Sequence, residues 1–173
     1  MHIFIMRHGE AENINVEDSL RPLTKHGAIE AEKMGHWLAR RKLSKIKVFV
    51  SPYLRAQQSC THAIAAIKTV TKLNEIIPET LNFITPSGNA QQVHDFIDGF
   101  LQKKNIVNTD NSTEQLNLLF VSHMPFVSYL VGALTNSTNM PIFSTGSIAV
   151  IDYNIEQMKG QLIEQVSPES VDI

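Results

Sequence analysis

With 173 residues, 43% of them hydrophobic and 18% charged, the chain suits one globular domain able to bury its own core. A formal net charge of -2 offers no broad basic surface, which excludes a general nucleic-acid or membrane partner and requires any anion to be held by a local site. Cys60 is the single cysteine, so no internal disulfide can form and a reducing, cytoplasmic setting is expected.

The apolar run at 2–6 predicts a buried strand that ends on Arg7-His8-Gly9-Glu10. That run is too short for a signal peptide, and no stretch approaches the ~20 apolar residues of a membrane helix. Thr24 is an N-cap candidate for a helix reaching about residue 41, with Ala28, Ala31, Gly35 and Leu38 turned inward. Its basic end, Arg40-Arg41-Lys42, reads as a solvated helix terminus. A second strand is predicted over 46–50, and Ser51-Pro52 then reads as N-cap and first residue of a helix with Arg55 in its first turn. Cys60 shares a helical face with Ala63, Ile64 and Ile67, the setting of a buried structural thiol.

A third helix is expected over 89–103 with Val93, Phe96, Ile97 and Phe100 or Leu101 inside, followed by an exposed polar loop over 105–115. A strand over 117–121 leads to Ser122-His123-Met124-Pro125, and Pro125 starts a helix through Leu134. Runs at 148–153 and 161–166 suit a closing hairpin turned near Lys159-Gly160, and the chain is expected to fray from Pro168 onward. Strands alternating with helical segments define a layered α/β fold.

Three of these strands end on polar groups: Arg7-His8-Gly9, then Ser51 to Arg55, then Ser122-His123. Parallel strands would bring all three to the carboxyl rim of the sheet, where ligands bind in open α/β folds. Two arginines and a helix N-terminus suit phosphate oxygens. A neutral imidazole can take the phosphoryl group and pass it to water, while a second, protonated histidine helps to bind the spreading charge. A metal site is disfavoured because no thiolate or His-x-x-x-His pair supports it and the arginines would repel the cation. No Gly-x-Ser-x-Gly elbow is present for a serine hydrolase. His2, His26, His36, His62 and His94 have no motif around them and read as surface or structural residues.

At these residues the chain resembles the histidine phosphatase superfamily, whose signature opens with Arg-His-Gly. Arg21-Pro22-Leu23-Thr24, the segment from Ser51 to Ser59, Ser122-His123-Met124-Pro125 and Thr145-Gly146-Ser147 are similar to later family segments, in family order. The resemblance implies a phosphoglycerate mutase-like, three-layer α/β/α sandwich around a mostly parallel sheet. It also implies that His8 is the phosphorylated nucleophile, that Arg7, Arg55 and His123 surround the phosphoryl group, and that Gly9 lets its backbone orient the imidazole. Arg21 is either a further ligand at the rim or an exposed structural arginine.

Many relatives carry a glutamate after the third strand or an aspartate after the distal histidine, where this chain has Phe83 and Met124. The short stretch from Thr85 to Asn89 leaves no room for a large helical cap. A phosphoester benefits from a general acid by ~10² to 10⁴ in rate, whereas imidazole is a far better leaving group. The chain therefore resembles the compact, SixA-type phosphohistidine phosphatases, with no cofactor or metal. The expected partner is a phosphohistidine-bearing phosphorelay or phosphotransferase-system protein, met by a monomer whose domain spans 1–167. Glu10, Glu12 and Glu79 are the remaining candidate acids. A small-molecule phosphomonoesterase and a non-hydrolysing phosphohistidine-binding module are the alternatives.

Overall fold

The structure, a computed structural model, describes residues 1–73, 75–103, 115–138 and 140–171. Most of the polar stretch expected to form a loop over 105–115 lies outside them. Six strands form one sheet: β1 (His2–Arg7), β2 (Lys45–Val50), β3 (Glu79–Thr80), β4 (Leu116–Ser122), β5 (Ile148–Asn154) and β6 (Lys159–Val166). Their spatial order is β3-β2-β4-β1-β5-β6, with β3, β2, β4 and β1 parallel and β5 and β6 antiparallel to their neighbours. The helices are α1 (Lys25–Arg40), α2 (Leu54–Val70), α3 (Ala90–Lys103) and α4 (Phe126–Thr135).

Alternation along the strands assigns each helix pair to a face. Ile3, Ile5, Leu118, Phe120, Ala149 and Ile151 pack with α3 and α4, whereas Phe4, Met6, Leu119, Val121, Ile148 and Val150 pack with α1 and α2. Both faces are thus covered, which is why the central strands are almost uniformly apolar. The three-layer sandwich with a mostly parallel sheet is the expected one. Cys60 is buried in the α1–α2 layer, where burial pushes its thiol up to about 12 and leaves it inert.

Several local expectations are corrected. The inner face of α1 is carried by Gly27, Glu30, Ala31, Met34, Gly35, Leu38 and Ala39, with Ala28 only half-buried. Arg41 lies over the Trp37 ring and pairs with Glu164, so the basic helix end is partly docked. The hairpin turn falls at 155–158, where Asn154 Oδ1 accepts the Gln157 N–H at 2.9 Å. Gly160 belongs to β6 because a Cβ there would come within 2.3 Å of Ile151 Cγ2; its glycine marks close packing, not the turn. The chain end does not fray over 168–171: Pro168–Ser170 form a 3-10 turn, and Pro168 and Val171 are buried.

Ser51 does not cap α2, which begins at Leu54 with Tyr53 in the capping position. Arg55 stays in the first turn regardless. The Ser51 hydroxyl is engaged instead with His123, at 2.6 Å from its Nε2.

Candidate active site

Register brings the three strand ends together. Arg7 sits opposite Ser122 in the β1–β4 ladder, the His8 N–H donates to Ser122 O at 2.9 Å, and the Ser51 N–H donates to Val121 O at 3.0 Å. His8, Ser51 and His123 therefore emerge side by side from the carboxyl ends of β1, β2 and β4. The His8 and His123 rings are 5.0 Å apart between centroids.

His8 is oriented by the backbone beside it. Its Nδ1–H donates to the Gly9 carbonyl at 2.6 Å, which leaves an unprotonated Nε2 facing the Arg55 Nε–H at 3.1 Å. The Gly9 N–H donates to Ser59 Oγ at 3.0 Å, and a Cβ on Gly9 would lie 2.2 Å from the Gly27 carbonyl oxygen, so only glycine permits this approach to α1. Burial, with Arg55, Arg7 and Arg21 adding to it against the Gly9 hydrogen bond, lowers the His8 pKa to about 4. The imidazole is neutral and nucleophilic at physiological pH.

Arg55 is buried under a strap formed by residues 11–23. Its guanidinium presents two edges. The Nη1–Nη2 edge is clamped by Asp18, through the backbone oxygen at 2.5 Å and Oδ2 at 3.0 Å, and Nε is left aimed at His8. Asp18 also takes Arg21 Nη1 at 3.1 Å, while Arg21 Nε donates to Glu12 O at 2.8 Å. Arg21 thus braces the strap near the pocket mouth. Sequence reasoning missed Asp18; the available signal was its spacing from Arg21, three residues on one turn. Burial opposes ionisation of Asp18, but hydrogen bonds from Arg55 and Arg21 outweigh it and hold the carboxyl below the usual range. Asp18 is a clamp, not a proton donor.

Arg7 Nη1 donates to Phe143 O at 2.7 Å, which fixes the side chain. Burial pulls its pKa below the ordinary value, Glu30 opposes this, and Arg55 adds to it. Glu30, another residue the sequence did not mark, ties the rim together by accepting the Glu10 N–H at 2.7 Å and the Thr145 hydroxyl at 2.6 Å. Among the described residues, the buried side-chain polar atoms without a partner are Arg7 Nε, His123 Nδ1 and His94 Nδ1. Two of these belong to this pocket.

His123 is not the protonated charge binder expected from sequence. Burial, with His8, Arg55 and Arg7 adding to it and Asp18 opposing, drives its pKa down to about 2. It is a neutral hydrogen-bonding group. The candidate acids are engaged elsewhere: Glu10 accepts the Thr24 hydroxyl at 2.6 Å, and Glu79 pairs with Lys47 at 2.7 Å. Glu12 contributes its backbone carbonyl to Arg21. Phe83 stacks edge-on against Phe96 at 5.6 Å, and Ser122 Oγ holds the adjacent turn through Ile84 O at 2.8 Å. His94, outside the pocket, is bound to Tyr153 Oη at 2.8 Å.

Two neutral, buried histidines have a consequence for acid stability. A depressed folded pKa means that the unfolded chain takes up the proton first, so stability is full above about 6.5 and falls as pH drops. For His8 the loss runs down to about 4, and for His123 it continues below that. Each histidine should contribute a slope of roughly 1 to 1.5 kcal/mol per pH unit. Urea unfolding between pH 6 and 4.5 measures the sum, and His123→Asn should remove about half of the slope. An unchanged slope in that variant would remove the assignment.

The family model of the histidine phosphatase superfamily (branch 1) matches residues 3–115, and the chain belongs to that superfamily. Among curated relatives, the phosphohistidine phosphatase SixA of Escherichia coli (strain K12) is 33% identical over 168 residues, covering 97% of this chain and 94% of that protein. A SixA homolog of Haemophilus influenzae is 33% identical over 175 residues, covering 97% of both. The solved structure of the protein histidine phosphatase SixA complexed with tungstate superposes with a TM-score of 0.82 at 32% identity, covering 97% of each chain.

Proposed function

We propose that the chain is a protein phosphohistidine phosphatase, acting on a phosphorelay or phosphotransferase-system protein through phospho-His8 and without a metal. The observation that carries this reading is the pair of partnerless buried nitrogens, Arg7 Nε and His123 Nδ1, beside an unprotonated His8 Nε2 that already faces Arg55. Buried polar groups without partners are costly, and a phosphoryl group offers acceptor oxygens to Arg7 and Arg55 and an electrophilic phosphorus to His8 Nε2. The relatives named above are phosphohistidine phosphatases, which agrees with it.

In the first step, the His8 Nε2 lone pair forms a bond to phosphorus as the bond to the partner's imidazole nitrogen breaks. The departing ring keeps that electron pair and leaves neutral when its other nitrogen already carries a proton. Arg55 Nε–H moves from His8 to a phosphoryl oxygen. In the second step, water attacks phosphorus, the P–N bond to His8 breaks, and inorganic phosphate leaves. With Phe83 at the position of the family's usual acid and Asp18 held ionised, the pocket suits a leaving group that needs no strong acid.

No helix among the described residues is long and apolar enough to cross a membrane. The reading takes the chain as one catalytic domain that includes the buried Pro168 and Val171, acting as a monomer in a reducing cytoplasm, in keeping with a pocket built from one chain and a buried lone thiol. Turnover of a phosphohistidine-bearing transfer domain should exceed that of phosphoserine and of a sugar phosphate by at least a hundredfold in kcat/KM. Faster ester hydrolysis would make the chain a small-molecule phosphomonoesterase. Binding of the phosphorylated domain without phosphate release would make it a recognition module.

A further inference from the structure

We infer that Ser51 fixes the tautomer of His123, so that His123 offers Nδ1–H and not Nε2–H to the oxyanion. The inference rests on the reading above only in taking His123 to face the phosphoryl group. Its basis is the hydrogen-bond inventory of two buried side chains. Ser51 Oγ lies 2.6 Å from His123 Nε2 and accepts the Tyr53 N–H at 3.4 Å. A hydroxyl has one hydrogen to give. Among the described residues, the acceptor in contact with it is His123 Nε2.

The two tautomers differ in what they leave unpaired. If Nε2 carried the hydrogen, it would donate to Ser51 Oγ, and both the serine hydrogen and the Nδ1 lone pair would lack partners in a buried place. If Nδ1 carries it, Ser51 donates to Nε2 and only one group is left over. That group is Nδ1–H, a donor, among the buried atoms without a partner. Leaving fewer buried groups unsatisfied favours the second arrangement. It is also the one that an oxyanion requires, because an Nδ1 lone pair would repel phosphoryl oxygen.

The packing around the pair keeps the assignment from averaging. Ser51 and His123 are both buried, the Tyr53 ring lies 4.9 Å from that of His123, and Gln57 Nε2 holds the Ser51 carbonyl at 2.6 Å. Turning the serine hydroxyl away would give up its contacts with both His123 Nε2 and the Tyr53 N–H. This explains why α2 starts two residues later than Ser51-Pro52 suggests: the hydroxyl that would cap the helix is committed to the histidine. Both site histidines then carry their hydrogen on Nδ1, with opposite outcomes. In His8, Gly9 consumes Nδ1–H and frees Nε2 as nucleophile. In His123, Ser51 consumes Nε2 and frees Nδ1–H as donor.

Ser51 is thus a positioning residue, and the decisive measurement is spectroscopic. In 15N-labelled wild-type protein at pH 7, long-range 1H–15N correlation should show the His123 proton on Nδ1, with the peak assigned from its loss in His123→Asn. Added tungstate should shift that Nδ1–H signal. A proton on Nε2 in the wild type would overturn the inference, whatever the activity. Ser51→Ala should move the proton to Nε2, leave the His8 tautomer unchanged and lower kcat/KM roughly tenfold, the lower end of what loss of an orienting partner costs a metal-bound histidine. Ser51→Thr, which keeps the hydroxyl, should retain Nδ1–H. If Ser51→Ala folds and the tautomer does not move, Ser51 has no such role; if it does not fold, the wild-type and Ser51→Thr spectra decide. Failure to hydrolyse phosphohistidine, with these spectra as expected, would count against the proposed function and not against the tautomer.

Discussion

Replacing His8 by Asn is expected to lower phosphohistidine turnover by at least ~10⁴-fold and to leave no phosphorylated enzyme, the behaviour of a lost nucleophile. The reason is specific to its position. Nδ1 is committed to the Gly9 carbonyl at 2.6 Å, so Nε2 is the ring nitrogen with a free electron pair. An asparagine amide nitrogen has no such pair to give. Arg7, Arg55 and His123 remain in place, so tungstate should still bind within about tenfold of wild type. Rapid quench with 32P-labelled partner measures the phosphoenzyme, which should be acid-labile and base-stable as a phosphoramidate. Labelled protein in the His8→Asn variant, or turnover within tenfold of wild type, would put the nucleophile elsewhere.

Arg55→Lys is expected to reduce kcat/KM by ~10² to 10³, the range seen when one oxyanion donor is removed. The guanidinium performs two tasks in two directions, holding the Asp18 backbone and carboxylate with one edge while Nε addresses His8. An ammonium keeps the charge but has no second edge. Lysine would follow the Asp18 carboxylate and leave His8, because Asp18 is ionised. Tungstate affinity should fall with kcat/KM, because the same Nε–H that addresses His8 is lost to the oxyanion. Near wild-type turnover in Arg55→Lys would mean that charge alone is needed and that the clamp has no catalytic consequence.

The segment from Pro22 to Thr24 and the strap before it show where sequence reading stops. Thr24 is legible as a helix cap because capping is a local hydrogen bond, here from the Gly27 N–H at 2.9 Å. Asp18 lies in the same stretch; its spacing from Arg21 is local, but its pairing with Arg55 is not legible, because the two are 37 residues apart and no periodicity links them. Gly160 and Ser51 were legible but ambiguous. Glycine serves turns and close packing alike, and serine serves helix caps and side-chain partners alike; the nearby Ile151 and His123 decide between the uses. The frayed end was misread for a related reason: Val171 is apolar cover for the α1–α2 layer, and a terminal valine carries no mark of where it packs.

What the sequence by itself determined is the order of the parts. Apolar runs ending on Arg7-His8-Gly9, on Ser51 and on Ser122-His123 imply parallel strands, a shared rim and phosphate chemistry, because side-chain period and strand polarity are local properties. What only the tertiary structure decided is the state of those residues. Burial makes both histidines neutral, Gly9 and Ser51 assign their free nitrogens, and Asp18 aims Arg55. Burial and the Asp18–Arg55 and Ser51–His123 bonds depend on contacts between distant segments, which residue order does not carry, and the local Gly9 bond belongs to a turn packed against α1.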